Sequence, residues 1–173
     1  MAITLLENAP RNRINAVLAA LNRMPRALRL PLFNFVFGRF SRFYRTVGVK
    51  AEKIGPYSVT LTLANRARVR NHIRGVHAVA MTLPAEYAAG LVVAQHLSTN
   101  AIVVLRRFEI DLHKPIRGAV SATALLTFEQ GESLRGQTEG KIEVPVVIKD
   151  EAGQAPVSGI MCMAWISRNK PER

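Results

Sequence analysis

Residues 71–97, NHIRGVHAVAMTLPAEYAAGLVVAQHL, leave this chain few folds to choose from. From Val76 onward the run is apolar on almost every side, built mostly from Ala, Val, Leu and Met. A helix apolar all round is either wrapped by protein or placed in a membrane. A membrane span needs about 20 apolar residues with few or no charges. This run is barely that long and is interrupted by His77, Pro84 and Glu86. The interruptions favour a helix buried at the centre of a folded domain, with a membrane span as the alternative. Pro84 lacks an N–H and crowds the carbonyl four residues back, which predicts a kink over 80–84. Gly90, one turn after Glu86, predicts close approach of another backbone.

Strand-like segments flank this helix. Val47, Val49 and Ala51 alternate with polar residues, Gly55-Pro56 signals a turn, and Tyr57, Val59, Leu61 and Leu63 alternate again. That pattern predicts a hairpin with one buried face. Asn65 to Gly75 reads as a polar loop carrying Arg66, Arg68, Arg70 and Arg74, either solvated or a cationic rim. After the helix, Ser98-Thr99-Asn100 punctuates a strand in which Phe108, Ile110 and Leu112 alternate with polar residues. His113 to Gly118 is a tight connection. Val120, Ala122, Ala124, Leu126 and Phe128 form the next alternating set, and Gln130-Gly131-Glu132 reads as a turn. Ile142, Val144, Val146 and Ile148 follow, with Pro145 predicting an edge position or a bulge. After a turn at 150–153, residues 160–166 are apolar on both faces and predict an inner strand; the tail 169–173 reads as loose. Short links imply antiparallel pairing. One apolar helix beside about six strands predicts an α+β fold, a curved sheet wrapped around the helix.

The front of the chain is different. Of the formal net charge of +12, residues 1–50 carry +8, nine Lys or Arg against Glu7. Ile14, Val17, Leu18, Leu21 and Leu28 fall at helical spacing, with Arg11, Asn15, Asn22, Arg26 and Arg29 predicted to face away. Pro10 suits a first helical turn, and Pro25 and Pro31 predict breaks between short helices. Five of the seven phenylalanines lie in residues 33–43. Phe33, Val36, Phe37, Phe40 and Tyr44 predict one face; Arg39, Arg42 and Arg45 recur every third residue. Such an element packs its aromatic face on the protein or touches acyl chains or an acidic membrane. Nucleic acid is the weaker partner, since no recognised binding motif accompanies the charge. A division follows into a basic helical extension, 1–45, and a main domain, 46–173. Cys162 is the single cysteine, so no internal disulfide forms, which fits a reducing, cytoplasmic setting. The start of the chain has no pattern of a secretory signal.

Asn71, His77 and Glu86 give the spacing N-x5-H-x8-E at the start of the central helix. With the strand ending in HKPIRG, a strand rich in small residues and the order of elements, this resembles the hotdog-fold acyl-CoA thioesterases, nearest the phenylacetic-acid-degradation type. The likeness covers about residues 46–168, and the basic front looks like the helical extension of a hotdog subfamily. The resemblance implies hydrolysis of an acyl thioester to acid and thiol at a dimer-interface site. Asn71 would orient water or substrate, and His77 would fix the loop and bond the thioester. The Ala78 N–H would face the developing oxyanion, with Val79 beside the substrate. Glu86, from the neighbouring protomer, would activate water or attack directly. Lys114 and Arg117 would meet coenzyme A phosphates. Coenzyme A enters only as part of the substrate, and no other cofactor is expected. Two protomers would join their sheets, as a dimer or a tetramer. The family's usual His-Gly-Gly is His77-Ala78-Val79 here.

Each of these residues also has a plainer role. Glu86 can be a structural carboxylate satisfied across an interface, His77 a helix cap, Asn71 a turn residue, and Lys114 and Arg117 solvated charges. His72, His96 and His113 lack metal-ligand spacing, so no metal is expected. The competing function is a hotdog module without catalysis that binds acyl groups or an acidic membrane surface.

Overall fold

The structure, a computed structural model, describes residues 3–98 and 101–167. Thr99, Asn100 and the tail 168–173 lie outside the described residues. Three helices lead: α1 (Arg13–Asn22), α2 (Arg26–Phe40) and α3 (Arg42–Val47). Strands β1 (Val49–Ile54) and β2 (Ser58–Leu63) precede the central helix α4 (Ala78–Ala94). Strands β3 (Ala101–Leu112) and β4 (Val120–Leu125), a short helix α5 (Phe128–Leu134), and strands β5 (Gly140–Asp150) and β6 (Val157–Ser167) complete the chain. The six strands form one curved antiparallel sheet in the order β1-β2-β4-β5-β6-β3, with α4 on its inner face. This is the predicted α+β arrangement.

Small residues let the helix settle into the sheet. Ala85, Ala88 and Ala89 of α4 and Ala122 and Ala124 of β4 are fully buried, so backbone layers approach closely. Val59, Leu61, Leu63, Val144, Val146 and Ile148 complete the inner face from the alternate positions that the sequence predicts. Among the described residues no helix is long and apolar enough to cross a membrane.

Several expectations are corrected. Gly90 does not admit a backbone; a Cβ there would meet the Met163 side chain at an ordinary 3.7 Å. Pro31 lies inside α2 and does not end it. The bond it forfeits belongs to the carbonyl of Ala27, an exposed first-turn residue where water can serve instead. Pro10 precedes α1, whose N-cap is Asn12. Val47 is helical, because Ser41 caps α3 and Gly48, at φ +87°, closes it in the left-handed region that glycine favours. Phe128 and Gln130 to Glu132 are helical too. Thr127 and Gln130 bond each other's backbone N–H in a capping box that opens α5. Pro145 is not on an edge strand, since β5 runs between β4 and β6. Its pairing with β4 stops at Val146, so at Pro145 the strand has a neighbour on one side only. The inner position predicted for the last strand holds.

The leading helices divide differently from their pattern. Phe33, Phe37 and Tyr44 turn inward; Phe37 and Tyr44 meet Tyr87 of α4 (6.0 Å and 5.3 Å between ring centroids), and Phe33 stacks on Phe37. Val36 and Phe40, predicted to share that face, are exposed, as is Leu28. Asn15 does not face away: its amide donates to the carbonyls of Pro10 and Gln95 (both 2.8 Å). The Asn12 amide donates to Ala94 (3.0 Å) and Leu97 (2.7 Å). The last carbonyls of a helix have no partners within it, and these two asparagines supply them for α4.

Candidate functional site

The N-terminal end of α4 is built by a turn and a cap. The Asn71 side-chain oxygen accepts from the N–H groups of Ile73 (3.1 Å) and Gly75 (3.0 Å), holding a tight loop whose Arg74 has φ +64°. Local bonds of this kind are what Asn offers in a turn. The His77 N–H then donates to the Val69 carbonyl (2.8 Å), anchoring the first residue before the helix. His77 is the N-cap, and its Nδ1 accepts from the Val79 N–H (3.2 Å). In the neutral ring this leaves the Nε2 proton pointing elsewhere. The plainer roles of Asn71 and His77 are therefore both filled, yet neither exhausts its side chain. Among the described residues the Asn71 amide N–H groups, and the backbone N–H groups of Ala78 and Ala80, have no hydrogen-bond partner. His77 and Ala78 are exposed, and Val79 is 68% exposed.

The loop with Lys114 and Arg117 borders this end. A Cβ on Gly75 would sit 3.2 Å from the Ile116 carbonyl, so the 113–118 connection abuts the Asn71 turn. Lys114 and Arg117 flank buried Ile116 and are themselves exposed. Of the arginines in the 65–75 loop, Arg70 bonds Asn65 and Arg68 bonds the Val47 carbonyl.

Glu86 stands apart from that cluster within one chain. Eight residues of helix separate it from Ala78, about 12 Å along the axis. It lies seven residues, about two turns, after Val79 and so on the same side of the helix. Val79, Thr82, Leu83, Glu86 and Gly90 form a stripe that this chain covers only partly, whereas Met81, Ala85, Ala88, Ala89, Leu91, Val92 and Val93 are buried. Among the described residues Glu86 has no hydrogen-bond or ion-pair partner. Burial pushes its carboxyl above the usual range, because a half-buried carboxylate loses solvation.

The structure adds a surface that the sequence pattern concealed. Phe108 and Leu112 of β3 pair with Met161 and Val157, both buried on the helix side of the sheet. They occupy that inner face yet are about half exposed, since no described element of this chain covers them. Their alternation with polar residues marked the face, but not that it lay uncovered. β3 is also an edge strand, paired on one side only with β6. No group of three or more His, Cys, Asp or Glu is placed to hold a metal ion among the described residues. Cys162 is buried as a free thiol.

Solved structures share this architecture. A protein of unknown function from Pseudomonas aeruginosa, a "probable thioesterase", is 19% identical, with 79% of this chain and 95% of that one covered at a TM-score of 0.69. A thioesterase from Haemophilus influenzae is 15% identical, covering 83% and 94%, at 0.68. A mutant of a Staphylococcus aureus thioesterase enzyme is 17% identical, covering 73% and 99%, at 0.63. At such identities the likeness establishes the fold, which is the hotdog fold. No curated protein matches the sequence. The profile of a family described as a domain of unknown function, DUF4442, matches residues 30–166 and so begins within α2. This chain, a hotdog fold with basic helices at its front, belongs to the DUF4442 family.

Proposed function

We propose that the protein is a thioesterase-like hydrolase that cleaves an acyl-CoA or related acyl thioester to a carboxylic acid and a thiol. The observation that carries this reading is Glu86, a half-buried carboxylate without a partner on the one open stripe of α4. Such an uncompensated acid is costly to keep for structure alone, and a raised pKa suits a group that must take a proton.

In this reading two protomers join along the free edges of β3, as a dimer that can pair into a tetramer. The uncovered Phe108 and Leu112 become part of the interface, and Glu86 of one protomer faces the start of α4 in the other. The roughly 12 Å between Ala78 and Glu86 within one chain favours this sharing, because both groups must reach one carbonyl. Glu86 takes a proton from water as the water oxygen bonds the carbonyl carbon, or attacks that carbon itself. The free N–H groups of Ala78 and Ala80, at the positive end of the helix, stabilise the oxyanion. The Asn71 amide and His77 Nε2 orient water and thioester. The C–S bond then breaks, and the departing thiolate takes up the proton. On the direct path this cleavage leaves the acyl group on Glu86 as an anhydride, which water hydrolyses to the acid and the free carboxylate, the water's proton going to the thiolate. Val79 lines the acyl entrance, while Lys114 and Arg117 receive the coenzyme A phosphates. Coenzyme A is substrate only, and a reducing cytoplasm is the setting that suits a lone thiol.

The test is thiol release from a panel of short, long and aromatic acyl-CoAs by wild type and Glu86→Ala. Turnover should fall about a hundredfold in the variant, the scale for losing a general base, with the dimer retained in sedimentation equilibrium. Turnover unaffected by Glu86→Ala would remove that residue from the mechanism. Saturable acyl-CoA binding without turnover by the wild type would replace the enzyme with an acyl-binding module.

A further inference from the structure

The leading helices carry both buried and exposed aromatic side chains. Phe37 and Tyr44 pack inward on Tyr87, with Phe33 stacked on Phe37. Phe40 touches the Phe37 ring, 6.0 Å between centroids, yet is 80% exposed, and Phe35 and Phe43 are exposed by 65% and 56%; Leu28 and Val36 also lie at the surface. Scattered surface apolar residues are ordinary, but this many on one helix and its continuation form a patch.

Three arginines interleave with these rings at the joint between α2 and α3. Arg39, Arg42 and Arg45 line an open depression of about 300 Å³. None of the three has an ion-pair partner among the described residues. The joint is held in place from beneath. Ser41 Oγ lies 2.8 Å from the Tyr87 hydroxyl, and the Arg45 stem packs where Gly38 has no side chain. The three arginines therefore line a depression whose floor is held by packing. Residues 8–51 hold nine Lys or Arg and no Asp or Glu.

We infer that this face docks on an anionic lipid surface. The phosphate of a headgroup occupies the depression between Arg39, Arg42 and Arg45, and Phe35, Phe40 and Phe43 enter the acyl boundary. Guanidinium forks match phosphate oxygens, and exposed rings beside them match the interface where headgroups meet chains. A second copy of the chain is a poor occupant, since two acid-free cationic faces would repel. The site is separate from the open stripe of α4 and does not depend on catalysis there.

The experiment is co-sedimentation of the full chain with vesicles of phosphatidylcholine alone and of phosphatidylcholine mixed with phosphatidylglycerol. Wild type should sediment with the mixed vesicles, release as salt rises and ignore the neutral ones. The triple variant Arg39→Gln, Arg42→Gln, Arg45→Gln should bind on the order of a hundredfold more weakly, about fivefold for each cation near the surface. Gln keeps the stem that packs on Gly38. Phe40→Ser with Phe43→Ser should bind at least about tenfold more weakly, by loss of inserted apolar area. Melting followed by circular dichroism should not move in either variant. If one melts early, Phe40→Ser alone, at the most exposed ring, reads the same contribution. Absence of sedimentation at low salt, equal binding to neutral vesicles, or full binding by the Phe variants would overturn the proposal. Retention of single-stranded RNA in place of vesicles would also overturn it, and would give the face to nucleic acid.

Discussion

The two ends of α4 meet the same physical problem in opposite ways. Each end of a helix leaves backbone groups without partners inside it. At the C-terminal end, Asn12 and Asn15 cross from α1 to take the carbonyls of Ala94, Gln95 and Leu97. Gln95 and His96 are fully buried there, bonded to the carbonyls of Gly55 and Pro56. At the N-terminal end the chain supplies one side-chain cap, His77, and leaves the N–H groups of Ala78 and Ala80 open. The closed end spends buried polar side chains on structure; at the open end the Ala78 and Ala80 N–H groups have no partner among the described residues. Changes at the closed end should therefore act on stability, and changes at the open end on function.

The comparison can be broken by experiment. Asn12→Ala removes two bonds to α4 and the cap of α1, in which Asn12 Oδ1 accepts from the Asn15 N–H (2.8 Å). It should lower unfolding stability by about 3 kcal/mol, measured by urea titration. A loss below about 1 kcal/mol would mean that the C-terminal end is not held by this residue. A second change of the same end is reached by pH. Burial, partly offset by the bond to the Pro56 carbonyl, holds His96 below its ordinary value of 6.5. A group whose folded pKa is depressed binds more protons when unfolded. Stability should thus be full above 6.5 and fall as pH drops below it, by up to about 1.4 kcal/mol per pH unit. The slope should flatten in His96→Gln; an unchanged slope would assign it to other groups.

The open end should answer weakly in stability. His77→Ala loses only an exposed cap and should cost about 1 kcal/mol or less in the same titration. A loss as large as that of Asn12→Ala would erase the distinction between the ends. Function at the open end is sharpened by pH as well. The limb on which thiol release rises should lie above 4.5, because burial raises the Glu86 carboxyl and its ionised form is the active one. A limb at or below 4.5 would detach it from Glu86.

The periodic parts of this fold are readable in the chain. Val59, Leu61 and Leu63 at period two, and the unbroken apolar run of α4, state their partners' location by their spacing alone. Residues whose partners are distant in sequence are not readable in that way. Asn12 and Asn15 look like the polar side of a helix, and only the fold brings them to carbonyls eighty or more positions away. The aromatic front is ambiguous for the same reason: with apolar residues on both faces of α2, spacing cannot say which face meets Tyr87. Helix α5 was legible, since Thr127 and Gln130 carry the capping-box spacing, but the alternation of Val120 to Phe128 pointed past it. For the site, the order Asn71, His77, Glu86 locates the start of α4 and the acid. It does not reveal that the Asn71 and His77 side chains are already bonded to local backbone N–H groups.

The bonds from Asn12 and Asn15 to the far end of α4 also set an order of events at the ribosome. The chain emerges from its N-terminus, so α1 leaves the exit tunnel long before its acceptors at Ala94, Gln95 and Leu97 have been synthesised. At about 5–20 residues added per second, α1 waits several seconds with its amide groups in water. Docking of α1 on the end of α4 is thus a late step, closing a loop of more than eighty residues.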